Sequence, residues 1–188
     1  MGKSLTLILS NNYKGYIMKK LLFLTATILT IAFASNIVLA QASATATASA
    51  TMITPIAITK SVDMVFGNIA VQNGTGGTVV LATDGSRTRT SGVTLPTFAT
   101  GSPTAASFSI TGEGTYTYAI TLPATAVITN GTPAQDMTVS SFVSLPSGTG
   151  ALTAGAQTLL VGATLTVAAA QPAGTYTCAS FSVTVNYN

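Results

Sequence analysis

Residues 106–122 read ASFSITGEGTYTYAITL. Phe108 and Ile110 alternate with Ser107, Ser109 and Thr111. Beyond Gly112, Glu113 and Gly114, the residues Tyr116, Tyr118, Ile120 and Leu122 alternate with Thr117, Ala119 and Thr121. A period of two is that of a strand with one face in a core and the other in water. The interruption carries two glycines around one acid, the composition of a turn. The segment therefore predicts two strands joined by a turn.

The same grammar continues on both sides. Upstream, TPIAIT and DMVFGNIAV predict strands near residues 52–59 and 63–71, and TVVLAT predicts one at 78–83. Asp84, Gly85 and Ser86 read as a hairpin turn, because Asp-Gly readily takes positive φ, with RTRTSGVTL (87–95) returning from it. Downstream come ATAVIT, a break at 130–133, DMTVSSFVS (136–144) and a loop at 145–155. The segment QTLLVGATLTVAAA then places Leu159, Val161, Ala163, Leu165, Val167 and Ala169 on one face. The last predicted strand is GTYTCASFSVTVNYN, in which Tyr176 and Cys178 share one parity and Phe181, Val183, Val185 and Tyr187 the other. Keeping both sets inward needs an inserted residue near Ala179 and Ser180, a β-bulge. Turn signals about every ten residues are sandwich spacing. The expectation is an all-β antiparallel sandwich of about nine or ten strands over residues 52–188, with no helix.

At the other end, Lys19 and Lys20 precede a long apolar stretch that finishes Val38-Leu39-Ala40. This is the layout of a secretory signal peptide over residues 1–40, forming a signal helix and cleaved between Ala40 and Gln41. Met18 alone begins a normal leader, so residues 1–17 read as an upstream start. Removing the leader removes four of the seven basic residues and no acid. Lys60, Arg87 and Arg89 then face Asp63, Asp84, Glu113 and Asp136, for a net charge near −1. No basic stripe remains to displace counterions from phosphates, which excludes a nucleic-acid binder. The membrane enters only through the leader. The localisation expected is periplasm, outer cell surface or medium.

Between leader and sandwich lies QASATATASAT, residues 41–51. Ala42, Ala44, Ala46, Ala48 and Ala50 alternate with Ser and Thr. A buried methyl contributes only ~0.8 kcal/mol, against ~1–2 kcal/mol for fixing each residue's backbone. Such a strand does not hold itself in place. Three uses stay open: a flexible spacer, a strand folded on its own sandwich, or an arm donated to a neighbour.

Reactive groups are sparse. The chain has no histidine, so a His base, a Ser-His-Asp triad and a His metal site are all excluded. The four acids fall in turns or at strand entries, where carboxylates bond local N–H groups. NGTGG (73–77) and NGT at Asn73 and Asn130 read as turns, and Asp84 alone supplies too few oxygens for calcium. Arg87 and Arg89 point the same way along a strand, as solvent-facing arginines or a receptor for an acidic glycan or lipid headgroup. Cys178, the one cysteine, has no internal partner. It reads as a small buried hydrophobe or as one half of an intermolecular disulfide. No catalytic residue, metal ligand or cofactor site is expected, and no enzyme.

The strings MITPIAITKSVDMVFGNIAV, GATLTVAAAQPAGTYT and FSVTVNYN resemble a bacterial family catalogued as domain of unknown function 4402, over roughly residues 50–188. The resemblance implies a secreted or surface β-sandwich. The chain is also similar to chaperone–usher pilins and spore-coat-U-like proteins, which end in an alternating strand with a penultimate Tyr and a Gly about fourteen residues from the end. Here Gly174, Phe181, Val183, Val185 and Tyr187 match that pattern. The similarity implies an Ig-like, pilin-like sandwich that assembles by edge-strand pairing, with residues 41–51 in the place of a donor arm. The partners it implies are further copies of the chain, or a periplasmic chaperone and an outer-membrane export system. The pilin disulfide is absent, and pilin arms carry larger side chains. The expected function is an exported, non-enzymatic structural or adhesive subunit. The alternative is a monomeric carbohydrate- or matrix-binding module using exposed Tyr116 and Tyr118.

Overall fold

The computed structural model describes residues 16–20, 41–178 and 180–188. The chain divides into two units, Met1–Ala50 and Thr51–Asn188. In the first, residues 16–20 are helical, whereas residues 41–50 are exposed and carry no secondary structure. The apolar stretch expected to be a leader, and Ala40, lie outside the described residues. No helix among the described residues is long and apolar enough to cross a membrane.

The second unit is all β. Its strands are β1 (Ala57–Val62), β2 (Ala70–Val71), β3 (Gly77–Leu81), β4 (Arg87–Arg89), β5 (Val93–Thr94), β6 (Ala106–Thr111), β7 (Thr117–Thr121), β8 (Thr125–Ile128), β9 (Met137–Leu145), β10 (Thr149–Ala151), β11 (Ala156–Val167) and β12 (Thr184–Tyr187). One 3₁₀ turn, Pro133–Gln135, stands in the predicted break before β9. Twelve strands replace the nine or ten expected because several predicted runs are split or new short strands appear. RTRTSGVTL gives β4 and β5, separated by a turn at Ser91 and Gly92, and the loop at 145–155 contains β10.

β11 is the spine. One edge pairs with β6 through Ala156–Val161 and then with β3 through Ala163–Val167; the other edge pairs with β9. β1 extends from β6, β4 from β3, and β8 from β9, giving a seven-stranded antiparallel sheet. The partner changes at Gly162. A Cβ there would run into the carbonyl oxygen of Leu81 and come within 2.9 Å of the Ala82 carbonyl carbon, so only glycine lets β3 begin where β6 ends. Opposite the switch, Gly162 faces Val143 and Thr164 faces Ser140, so β9 holds one extra residue. Ser141 absorbs it at φ +50°. This bulge moves the inward parity of β9 from Met137 and Val139 to Phe142.

A second sheet, β10-β7-β12, and a small pair, β2-β5, complete the fold. Phe108, Ile110, Leu159 and Val161 from the large sheet pack with Tyr118 and Val185 from the second, forming one core. Val79, Val139, Ala163, Leu165 and Val167 form another with Val93. Met64 and Phe142 touch both. Along β11 the predicted inward set holds from Leu159 to Val167, but Ala169 is exposed because the strand stops at Val167.

Two predicted strands are largely absent. Residues 52–56 are not a strand, and within 63–71 only Ala70–Val71 and an isolated bridge between Val65 and Thr104 are paired. At the C-terminus the strand shrinks to Thr184–Tyr187, with one bridge between Thr177 and Thr129. Burial nevertheless alternates: Tyr176 and Cys178 are half-buried, then Phe181, Val183, Val185 and Tyr187. The parity change falls across Ala179, which lies outside the described residues, as does the bulge predicted there.

Candidate functional site

The two sparsely paired stretches line a groove of about 940 Å³. Residues 62–71 form one wall and residues 171–178, 180 and 181 the other, over a floor that includes Phe108, Ile128, Val139, Leu165 and Val167. The floor is apolar because it is the inner face of the large sheet. The first wall is laddered only at its ends, at Val62 in β1 and Ala70–Val71 in β2, and the second is extended without a ladder. On the first, Val65 and Asn68 bond outward to Thr104 and Thr100, and Gln72 to Gly92. On the second, among the described residues, the only backbone–backbone bonds from 171 to 183 are the pair between Thr177 and Thr129. Backbone N–H and C=O groups left without partners favour pairing with another extended chain.

The charged groups beside the groove are already engaged. The Lys60 Nζ donates to Asp63 at 2.7 Å in an exposed ion pair. Arg87 Nη1 donates to the carbonyls of Phe66 at 2.6 Å and Asn68 at 3.2 Å, bracing the first wall from behind. The guanidinium of Arg87 is thus bound to backbone, which removes half of the Arg87–Arg89 receptor for an anionic group. Cys178 lies on the second wall, half-buried, with its thiol donating to the Ser180 carbonyl at 3.2 Å.

A separate cluster sits where β6 turns into β7. The Thr54 N–H donates to the Glu113 carboxylate at 3.0 Å, the Glu113 N–H donates to the Tyr187 hydroxyl at 2.6 Å, and that hydroxyl donates to the Thr54 carbonyl at 2.9 Å. The three bonds close a ring around the root of the N-terminal segment. Gly112 makes room for it, since a Cβ there would collide with the Tyr187 hydroxyl. Tyr116 packs edge-on against the Tyr187 ring, centroids 5.6 Å apart. The Thr54 N–H, bonding to the carboxylate, holds Glu113 below the usual carboxylate pKa.

The remaining predicted residues separate. Phe181, Val183 and Tyr187 pack against the first core, Val185 lies within it, and Phe181 meets Phe108 and Phe142 with ring centroids 6.4 and 5.2 Å apart. Gly174 is exposed on the groove wall, where a Cβ would meet only ordinary contacts. Ala42, Ala44, Ala46, Ala48 and Ala50 are exposed. Gln41, the residue after the expected cleavage, is exposed as well. Tyr118 is fully buried, its hydroxyl donating to Gln157, so Tyr116 and Tyr118 do not form an exposed pair. The acids are dispersed: Asp63 to Lys60, Asp84 to the Ser86 N–H of its own turn at 2.9 Å, Glu113 to Thr54, and Asp136 exposed beside the 3₁₀ turn. Among the described residues, no three of His, Cys, Asp or Glu gather into a metal-holding group.

Sequence reading missed the groove and the role of Thr54. Glu113 looked like a turn acid serving its own loop, whereas its partner is 59 residues away. The signal within reach was the glycine pair around Glu113, which marks a close approach as well as a turn.

No curated protein and no solved structure matches the chain. A family model does, over residues 56–187, which takes in β1 to β12, both groove walls, Glu113 and Tyr187. The chain belongs to the family described as domain of unknown function DUF4402.

Proposed function

We propose that this is an exported, non-enzymatic structural or adhesive subunit of the bacterial surface, which assembles when an extended segment of one copy pairs with the open walls of another. The observation that carries the reading is the groove: an apolar floor beside an extended second wall on which, among the described residues, only Thr177 bonds to other backbone. Main-chain bonds to such walls give affinity, and side chains of alternate parity fill the floor. The leader read from Lys19 to Ala40 supports export. The nearly uncharged Thr/Ser surface supports association, because little like-charge repulsion opposes it. The similarity to pilins supports residues 41–51 as the donated segment.

The test compares the mature chain, residues 41–188, with a version lacking 41–51, by light scattering over a range of concentrations. Assembly that disappears on deletion upholds the reading. Assembly of unchanged size removes the arm as donor, and an intact chain that stays a monodisperse monomer at high concentration overturns subunit pairing.

A further inference from the structure

The ring of bonds around Thr54 and the groove lie at opposite ends of the same strands. Ala57 pairs with Thr111 beside the ring, whereas Lys60 and Val62, at the far half of β1, begin the groove wall. On β11, Ala156 also pairs with Thr111. Leu165 and Val167, on the groove floor, stand nine and eleven residues further along that strand, or ~30–36 Å at ~3.3 Å per residue.

Thr54 is held on both sides of its backbone, its N–H by Glu113 and its C=O by Tyr187. Pro55 follows with φ fixed by its ring. No turn or bend occurs at residues 51–56, so the chain enters β1 without a sharp change of direction. A reversal within residues 53–55 breaks the two bonds to Thr54, and one placed before them leaves fewer residues to run back along β1.

We infer that Thr54, Glu113 and Tyr187 form an exit clasp, which roots the N-terminal arm at the end of the sandwich away from its own groove and so directs it into the groove of a second copy. The inference rests on the proposed pairing of arm and groove. Charge agrees with the chosen occupant. No charged residue occurs from Gln41 to Thr59, and the two charges beside the groove, Lys60 and Asp63, neutralise each other. An extended, uncharged segment therefore buries no unpaired charge when it lies between the walls. Arm and groove are different surfaces, so the contact is heterologous and propagates head to tail unless its rotation closes a ring. Glu113 and Tyr187 are positioning residues in this scheme.

Cys178 supplies the probe, because it is the one cysteine and it lines the groove. Cysteine is placed singly at Ala42, Ala44, Ala46, Ala48 or Ala50 of the mature chain. Diamide oxidises the two thiols to a disulfide, and products are separated on non-reducing gels. At least one position is expected to give a ladder of multimers that Cys178→Ser abolishes. Adding Tyr187→Phe, which keeps the ring and removes the hydroxyl, should lower the ratio of multimer to internally crosslinked monomer several-fold. Glu113→Ala should do the same, while Glu113→Gln, which retains an acceptor oxygen, should preserve the ladder. Circular dichroism checks that each variant is folded.

An unchanged ratio in folded Tyr187→Phe overturns the clasp. So does an internally crosslinked monomer as the main product with the clasp intact, and so does the absence of any crosslink to Cys178 in samples that light scattering shows to be assembled. Failure to assemble at all in the light-scattering comparison overturns the underlying reading instead.

Discussion

The hydroxyl of Tyr187 donates to the carbonyl of Thr54 at 2.9 Å, joining residues 133 positions apart, and accepts from the N–H of Glu113 at 2.6 Å. The next-to-last residue thus holds the segment that leads into β1. Each such bond is worth ~0.5–1.5 kcal/mol net. Tyr187→Phe should therefore lower unfolding stability by about 1–2 kcal/mol. Urea titration should show a lower midpoint with an unchanged slope, since the surface exposed on unfolding stays the same.

Glu113 makes this joint acid-sensitive. Its pKa in the folded state lies below the ordinary 4.5 because the Thr54 N–H bonds the carboxylate. The stabilisation is present above the unfolded value and is lost as pH falls through the lower folded one. Asp84, held down by the Ser86 hydroxyl and N–H, behaves likewise from its ordinary 3.8. Stability measured from pH 7 to pH 2 should decline below about pH 4.5, and Glu113→Gln should flatten the upper part of that decline. An identical profile in the variant rejects the assignment.

Gly162 sits where β11 changes partners, and its neighbours on the side a Cβ would occupy are backbone atoms of residues 81–83. Backbone moves less readily than a side chain. Gly162→Ala should cost about 1–3 kcal/mol through overpacking, with Gly162→Val worse. Thermal unfolding monitored by circular dichroism would show the order wild type, Ala, Val. Equal melting temperatures would mean that β3 and β6 do not need this close junction.

Residues 41–53 are exposed and without secondary structure, and from Gln41 onward the first hydrogen bond among the described residues is at Thr54. Exposed, unpaired segments are the preferred sites of proteolytic nicking. Elastase, which cuts after small residues, should remove the arm and leave a resistant core beginning near Thr54. Trypsin should leave it intact, because no Lys or Arg occurs from Gln41 to Thr59. Intact mass spectrometry reads both outcomes. Elastase resistance of residues 42–51 in a dilute sample would contradict this.

Much of the fold was legible in the sequence because alternation marks which residues face a core. β6 falls on Ala106–Thr111 as read from Phe108 and Ile110, and β11 carries the inward set from Leu159 to Val167. The turn at Asp84 and Gly85 connects β3 to β4 as expected, with Gly85 at φ +82°. Alternation does not say whether a partner strand exists. Residues 63–69, 172–178 and 180–183 have the period of strands and most of the burial, yet lack the ladder, because hydrogen-bond partners come from elsewhere in the chain. That is why the sequence suggested two complete strands where the structure has the walls of a groove. The clasp was hidden for the same reason: Thr54, Glu113 and Tyr187 meet only after β1, β6 and β12 are in place.

The position of β11 governs when this molecule can fold. Its twelve residues pair with strands that begin as early as Gly77 and end as late as Leu145, so the large sheet has no continuous backbone ladder until Val167 is available. Contacts so distant in sequence form slowly and late. A chain that emerges N-terminus first, from whatever delivers it, would be almost wholly exposed before that sheet could close.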